Sequence, residues 1–193
     1  MATTKRLLVR YQVIRQEAYE LRQRFGCKSA ATQVEHMLSQ FAGLRMDETG
    51  QDGWTVRNPA TGHYRCFINL GMPRNRIRWT MAHELGHIWL GHIEGVSLDD
   101  LEEDVLGLVE REANVFAEEL LMSWEFFQGQ TFRNLREWAD HMGVSQEACA
   151  WRLLQIPKVY PASGRPWLGL LESDFMTLMG QCVAAVIGTR AAG

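Results

Sequence analysis

Apolar and polar positions follow two different periods along this chain, and the change of period divides it. Over residues 4–25, Leu7, Leu8, Tyr11, Ile14, Ala18, Leu21 and Phe25 recur three or four apart among arginines. That spacing predicts an amphipathic helix, with Gly26 as its stop. Val34, Met37, Leu38 and Phe41 predict a second helix, from near Ser29 to Gly43. From 50 to 70 the character changes. Gly50, Asp52, Gly53, Asn58, Pro59 and Gly62 are turn residues around Trp54-Thr55-Val56 and Tyr64-Arg65-Cys66-Phe67-Ile68. These read as an antiparallel hairpin, or as two strands of a three-stranded sheet with residues 44–47 as the third.

The loop Gly71–Asn75 leads into a helix around residues 79–90, which Gly91 and Gly95 break. A longer helix is expected over about 99–123, capped by Ser97, Asp99 or Asp100 and acidic at its start, as the helix dipole favours. Two short helices, 132–142 and 145–155, meet at Met142-Gly143-Val144, with Ser145 as an N-cap. Pro157, Pro161 and Pro166 mark a linker, and an apolar stretch over about 172–188 follows. There are no repeats and no low-complexity tracts.

The chemistry concentrates in Trp79-Thr80-Met81-Ala82-His83-Glu84-Leu85-Gly86-His87-Ile88-Trp89-Leu90, which carries one H-E-x-x-H. On a helix, His83 and His87 lie on one face a turn apart. Two imidazoles so placed can share a tetrahedral zinc, and Glu84 stands beside them as the general base. A catalytic zinc needs a third protein ligand, with a further position left for water. The metzincin spacing is excluded, since it would need Gly and His where Leu90 and Ile93 stand. His92 is one residue short and is read as a support or surface histidine. The 99–123 helix offers Glu102, Glu103, Glu110, Glu112, Glu118 and Glu119. Its apolar face is Val105, Leu108, Val109, Val115, Phe116 and Leu120, and Glu112 falls in the middle. A carboxylate buried there is costly unless it meets a cation or a metal. Glu112 is therefore the expected third ligand, Glu119 the alternative, and a salt bridge from Glu112 to Arg76 or Arg78 the plainer explanation.

These residues bring a family into view. Arg76 to His87 resembles the signature of the ImmA/IrrE-type metallopeptidases. Glu110-Arg111-Glu112-Ala113-Asn114-Val115-Phe116-Ala117-Glu118-Glu119-Leu120-Leu121-Met122 is similar to that family's E-x-x-x-FA-x-x-LLM helix. Gly143-Val144-Ser145, Ala148 and Arg152-Leu153 extend the likeness, which covers about 10–156. Ser123 stands where the family often has Pro, and the tail from about 160 has no counterpart. The resemblance implies one catalytic zinc held by His83, His87 and Glu112, with Glu84 as base. It also implies a cytoplasmic protease that cuts a helix-turn-helix repressor and so controls phage, mobile-element or stress-response genes.

The expected fold is α+β: a zincin-like core with N-terminal helices, a small mainly antiparallel sheet, two zinc-binding helices and a helical C-terminal part. A sheet running into the motif helix is the usual front half of a zinc-peptidase core, and its edge strand can pair with an extended substrate. The expected division is 1–130 for the peptidase domain, 131–157 for a helix-turn-helix-like subdomain, and 158–193 for a linker and apolar tail. His63, Tyr64 and His92 are candidates to stabilise the oxyanion, and Asn114 is a weaker candidate to orient a ligand.

Composition constrains the reading further. With 193 residues, 46% of them hydrophobic and 22% charged, the chain can bury a sizeable core. A net charge of −3 gives no electrostatic reason to expect nucleic acid or an acidic membrane as partner. Cys27, Cys66, Cys149 and Cys182 form no C-x-x-C pair, which favours reduced thiols in a cytoplasmic protein. Leu7-Leu8-Val9 is too short for a signal-peptide core, and the apolar run 175–187 falls short of a membrane span of about 20 residues. Two other readings compete: a DNA-binding or adaptor regulator using 132–155, and a toxin with structural zinc. The would-be recognition helix 146–155 has a single arginine, too little to hold phosphates.

Overall fold

The computed structural model describes residues 2–28, 32–46, 50–128 and 132–159, with backbone alone for 2–10 and 157–159. The element order is α1 (Ala2–Arg24), α2 (Val34–Ser39), β1 (Ala42–Met46), β2 (Gly53–Arg57), β3 (Tyr64–Ile68), α3 (Arg74–Trp89), α4 (Glu103–Leu121), α5 (Trp124–Phe127), α6 (Leu135–Met142) and α7 (Gln146–Val159). A 3-10 turn at Leu98–Asp100 precedes α4.

The sheet has the order β1-β3-β2. β2 and β3 pair antiparallel, with Gly53 opposite Ile68 and Thr55 opposite Cys66. β1 pairs with β3 in parallel, Ala42 opposite Tyr64. The sheet is therefore mixed, not mainly antiparallel. The β2–β3 hairpin places β3 between the other two strands, so β1 meets it running the same way. The hairpin closes at Asn58, whose side chain accepts from the backbone N–H of Ala60 at 2.9 Å, and whose own N–H donates to His63 O at 2.8 Å. One face buries Thr55, Cys66 and Ile68. On the opposite face the register partners Trp54 and Phe67 stack at 4.0 Å.

The second helix is shorter than expected. It ends at Ser39, and Ala42 and Gly43 belong to β1, because pairing with β3 claims their backbone. At the other end, α7 runs through Pro157 to Val159. A proline in a last turn forfeits one backbone hydrogen bond and leaves little helix beyond it to disrupt.

Ile14, Ala18 and Leu21 of α1 share one core with Leu85 of α3, Phe116 and Leu120 of α4, Trp138 of α6 and Leu153 of α7. α3 and α4 pack so closely that a Cβ on Gly86 would lie 3.2 Å from Phe116 Cδ1 and 3.3 Å from Ala113 Cα. Gly86 thus fixes the spacing between the two helices that carry the candidate site. A buried charge network joins the helices: Glu119 accepts from Arg15 Nε at 3.1 Å and from Arg152 Nη2 at 2.7 Å, while Arg152 Nε donates to Met122 O at 2.8 Å. Among the described residues no helix is long and apolar enough to cross a membrane. The expected tail from 160 to 193 lies outside the described residues.

Candidate metal centre

α3 presents His83 and His87 on the face toward α4, and Glu84 on the flank toward β2. The histidine Nε2 atoms lie 3.0 Å apart. Facing them from α4 is Glu110, with Oε2 3.1 Å from His83 Nε2 and Oε1 3.3 Å from His87 Nε2. Ligand atoms of His83, His87 and Glu110 all lie within 4.8 Å of one another, so the three could hold one metal ion.

Glu112 stands elsewhere. Its side chain is 8% exposed and its Oε2 lies 3.1 Å from His92 Nε2. The structure brings Glu110 together with His83 and His87, and places Glu112, the expected third ligand, against His92. The choice of Glu112 rested on burial, yet a metal that must admit water and substrate belongs at the rim of the α3–α4 interface. Glu110 sits at that rim, with 41% of its side chain exposed. The signal available in the sequence was spacing: Glu110 and Asn114 are four residues apart on one face of α4. Glu119, the alternative ligand, is taken up by Arg15 and Arg152. Arg76, once a possible partner of Glu112, pairs with Asp52 at 2.6 Å.

The imidazoles are oriented from behind. Asn114 Oδ1 lies 3.0 Å from His83 Nδ1. An amide oxygen only accepts, so that proton sits on Nδ1 and the Nε2 lone pair faces Glu110. Asn114, the weaker candidate on sequence grounds, thus supports His83. Behind His87 is His92, its Nδ1 3.1 Å from His87 Nδ1. With both nitrogens engaged and its side chain 5% exposed, His92 is not placed to meet an oxyanion. His63 and Tyr64 lie at the hairpin turn.

Two imidazoles and one carboxylate, with the outer imidazole nitrogen of His83 held by an acceptor, fit a borderline divalent metal such as zinc. Electrostatics point the same way. In the metal-free protein, His83 and His87 donate to the Glu110 carboxyl when their Nε2 atoms are protonated, and these hydrogen bonds hold it well below its ordinary range. Burial pulls His83 down, but Glu110, Glu84 and Asn114 outweigh it, so its pKa is raised. Burial raises Glu84 above an ordinary carboxylate, opposed chiefly by the Thr55 hydroxyl, which donates to Glu84 Oε2 at 2.7 Å. A carboxyl with a raised pKa beside a candidate metal is suited to accept and return a proton.

Residues 40–154 match the model of a peptidase family described as the IrrE N-terminal-like domain. No curated protein sequence matches significantly. Among solved structures, a Mycobacterium tuberculosis transcriptional regulator is similar at 14% identity and a TM-score of 0.49, over 74% of this chain and 46% of that one. This chain therefore spans less than half of that protein's length.

Proposed function

The chain belongs to the peptidase family of the IrrE N-terminal-like domain, and on that footing we propose that it is a zinc-dependent endopeptidase acting on a protein substrate. Family membership implies a metallopeptidase. The observation that carries the finer reading is the convergence of His83, His87 and Glu110 beside the buried Glu84. A zinc held by those three residues would supply a Lewis acid for the scissile carbonyl and make the attacking water easier to deprotonate. Glu84 takes the water proton and returns it to the leaving amine. The Thr55 hydroxyl keeps one Glu84 oxygen fixed, leaving the other for proton transfer. β2 is an edge strand next to Glu84, so an extended substrate can add to it through backbone hydrogen bonds.

A helix-turn-helix repressor remains the proposed substrate, on family resemblance alone. A cytoplasmic setting is part of the same reading, supported by free Cys27, Cys66 and Cys149 among the described residues. Burial weighs against the DNA-binding alternative: Arg152, the arginine of the would-be recognition helix, is 2% exposed and bonded to Glu119. That leaves residues 146–155 without an exposed basic group to hold phosphates.

The test is metal content and peptidase activity of wild type beside Glu110→Gln and Glu84→Gln. Wild type is expected to carry about one zinc per chain, consistent with three protein ligands and an open position. Glu110→Gln should lose the metal, and Glu84→Gln should keep it while losing cleavage of the repressor encoded nearest to the gene. A wild-type protein that takes up no zinc would falsify the reading.

A further inference from the structure

We infer that Glu112 and His92 form a hydrogen-bonded chain that fixes which nitrogen His87 offers to the metal, making both of them positioning residues. This rests on the metal-centre reading and explains what that reading leaves over, a carboxylate and an imidazole buried together behind a ligand. The chain runs from Glu112 Oε2 to His92 Nε2 at 3.1 Å, and from His92 Nδ1 to His87 Nδ1 at 3.1 Å. His87 Nε2 then faces Glu110 and His83.

The backbone builds this arrangement. Gly91 has φ +74° and ends α3 in a left-handed turn. The His92 N–H donates to His87 O at 3.0 Å, and the Gly91 N–H to Ile88 O at 3.2 Å, the double closure of a Schellman motif. Such a motif brings the second residue past the cap back over the last turn. Here an apolar contact is replaced by two imidazoles, ring centres 5.1 Å apart.

Proton positions follow from the partners. A carboxylate only accepts, so with neutral imidazoles the His92 proton lies on Nε2, toward Glu112. His92 Nδ1 is then an acceptor and requires the proton of His87 on Nδ1. That leaves the His87 Nε2 lone pair directed at the centre. The reverse tautomer of His87 would force His92 to present a lone pair to the Glu112 carboxylate. The negative charge of Glu112 thus selects the ligating form of His87 through one intervening ring, as carboxylates do directly for other metal-bound histidines. His83 reaches the same state through Asn114.

The experiment measures zinc affinity by chelator competition and the visible spectrum of the cobalt(II)-loaded protein. The proteins are wild type, His92→Phe, His92→Asn and Glu112→Gln, with the melting temperature of each metal-free form as control. His92→Phe and Glu112→Gln should weaken zinc binding on the order of 10- to 100-fold and alter the cobalt spectrum. His92→Asn, whose amide oxygen stands near the lost Nδ1, should recover part of the affinity. Should His92→Phe not fold, Glu112→Gln reads the same chain with volume preserved. If wild type binds zinc while both variants match it within about twofold, the inference is overturned and the ligand assignment stands. Melting temperatures that drop while affinity and spectrum hold would mean a structural pair only, which also overturns it. Complete loss of metal in Glu112→Gln, as in Glu110→Gln, would make Glu112 a ligand and overturn the inference and that assignment together. No zinc in wild type removes the premise.

Discussion

Two glutamates two positions apart on α4 have different surroundings. Glu110 stands at the rim, facing His83 and His87, while Glu112 lies inside against His92. Their different surroundings make the titration of His83 informative. Its raised pKa depends on Glu110 more than on any other neighbour. In the metal-free protein, an NMR titration should show His83 protonating above the usual imidazole value of about 6.5, and Glu110→Gln should bring it down. Since the metal competes with that proton, zinc affinity should fall as pH drops through the raised His83 pKa, and recover above it. Thr55 gives a second prediction. Its hydroxyl favours the charged form of Glu84, and a hydrogen bond to a charged group is worth about 1.5–3 kcal/mol. Thr55→Val should therefore raise the Glu84 pKa further and move the acid limb of the pH–rate profile upward. An unchanged limb would separate Thr55 from the base.

The pair α3–α4 depends on close approach as much as on its polar residues. At Gly86 the nearest atoms to an added Cβ include Ala113 Cα and O, both at 3.3 Å. Those atoms are backbone and cannot rotate away. Gly86→Ala would gain about 1 kcal/mol of helix propensity and meet an overpacking cost of about 1–3 kcal/mol. The net expectation is destabilisation in urea unfolding, together with weaker zinc binding because His87 and Glu110 would be pushed apart. The hairpin works under a similar limit. A Cβ on Gly53 would lie 2.5 Å from Thr80 Cγ2 and 3.0 Å from Phe67 O, so β2 can lie against α3 only with glycine there.

Across the whole molecule, the buried charges of Glu119 and Arg152 join α7 to α4, and Arg15 brings in α1. The expected helical subdomain over 131–157 shares the core with these helices through Leu135, Trp138, Met142, Leu153 and Ile156. Removing one partner of a buried pair leaves the other charge uncompensated and costs about 3–5 kcal/mol. Glu119→Gln should lose stability on that scale in a denaturant titration, and pairing it with Arg152→Met should restore part of the loss. If the single variant unfolds like wild type, the network contributes little to the fold.

The helices, the hairpin, the H-E-x-x-H pair and the glutamate between its histidines were legible along the chain because each depends on local spacing. His83 and His87 share a face on any α-helix, and turn residues mark any hairpin. Glu110 was not chosen, although its partner Asn114 lies four residues away on the same helix. Sequence amphipathicity ranks carboxylates by burial, and burial singled out the one that meets His92. Which carboxylate faces the histidines depends on how α4 is rotated against α3, and contacts between segments far apart in the chain set that rotation: Gly86 against Ala113, and Glu119 against arginines of α1 and α7. The parallel pairing of β1 with β3 is non-local in the same way, since no turn joins the two strands directly. Local spacing determined the elements and half of the candidate centre, and tertiary packing decided which groups complete it.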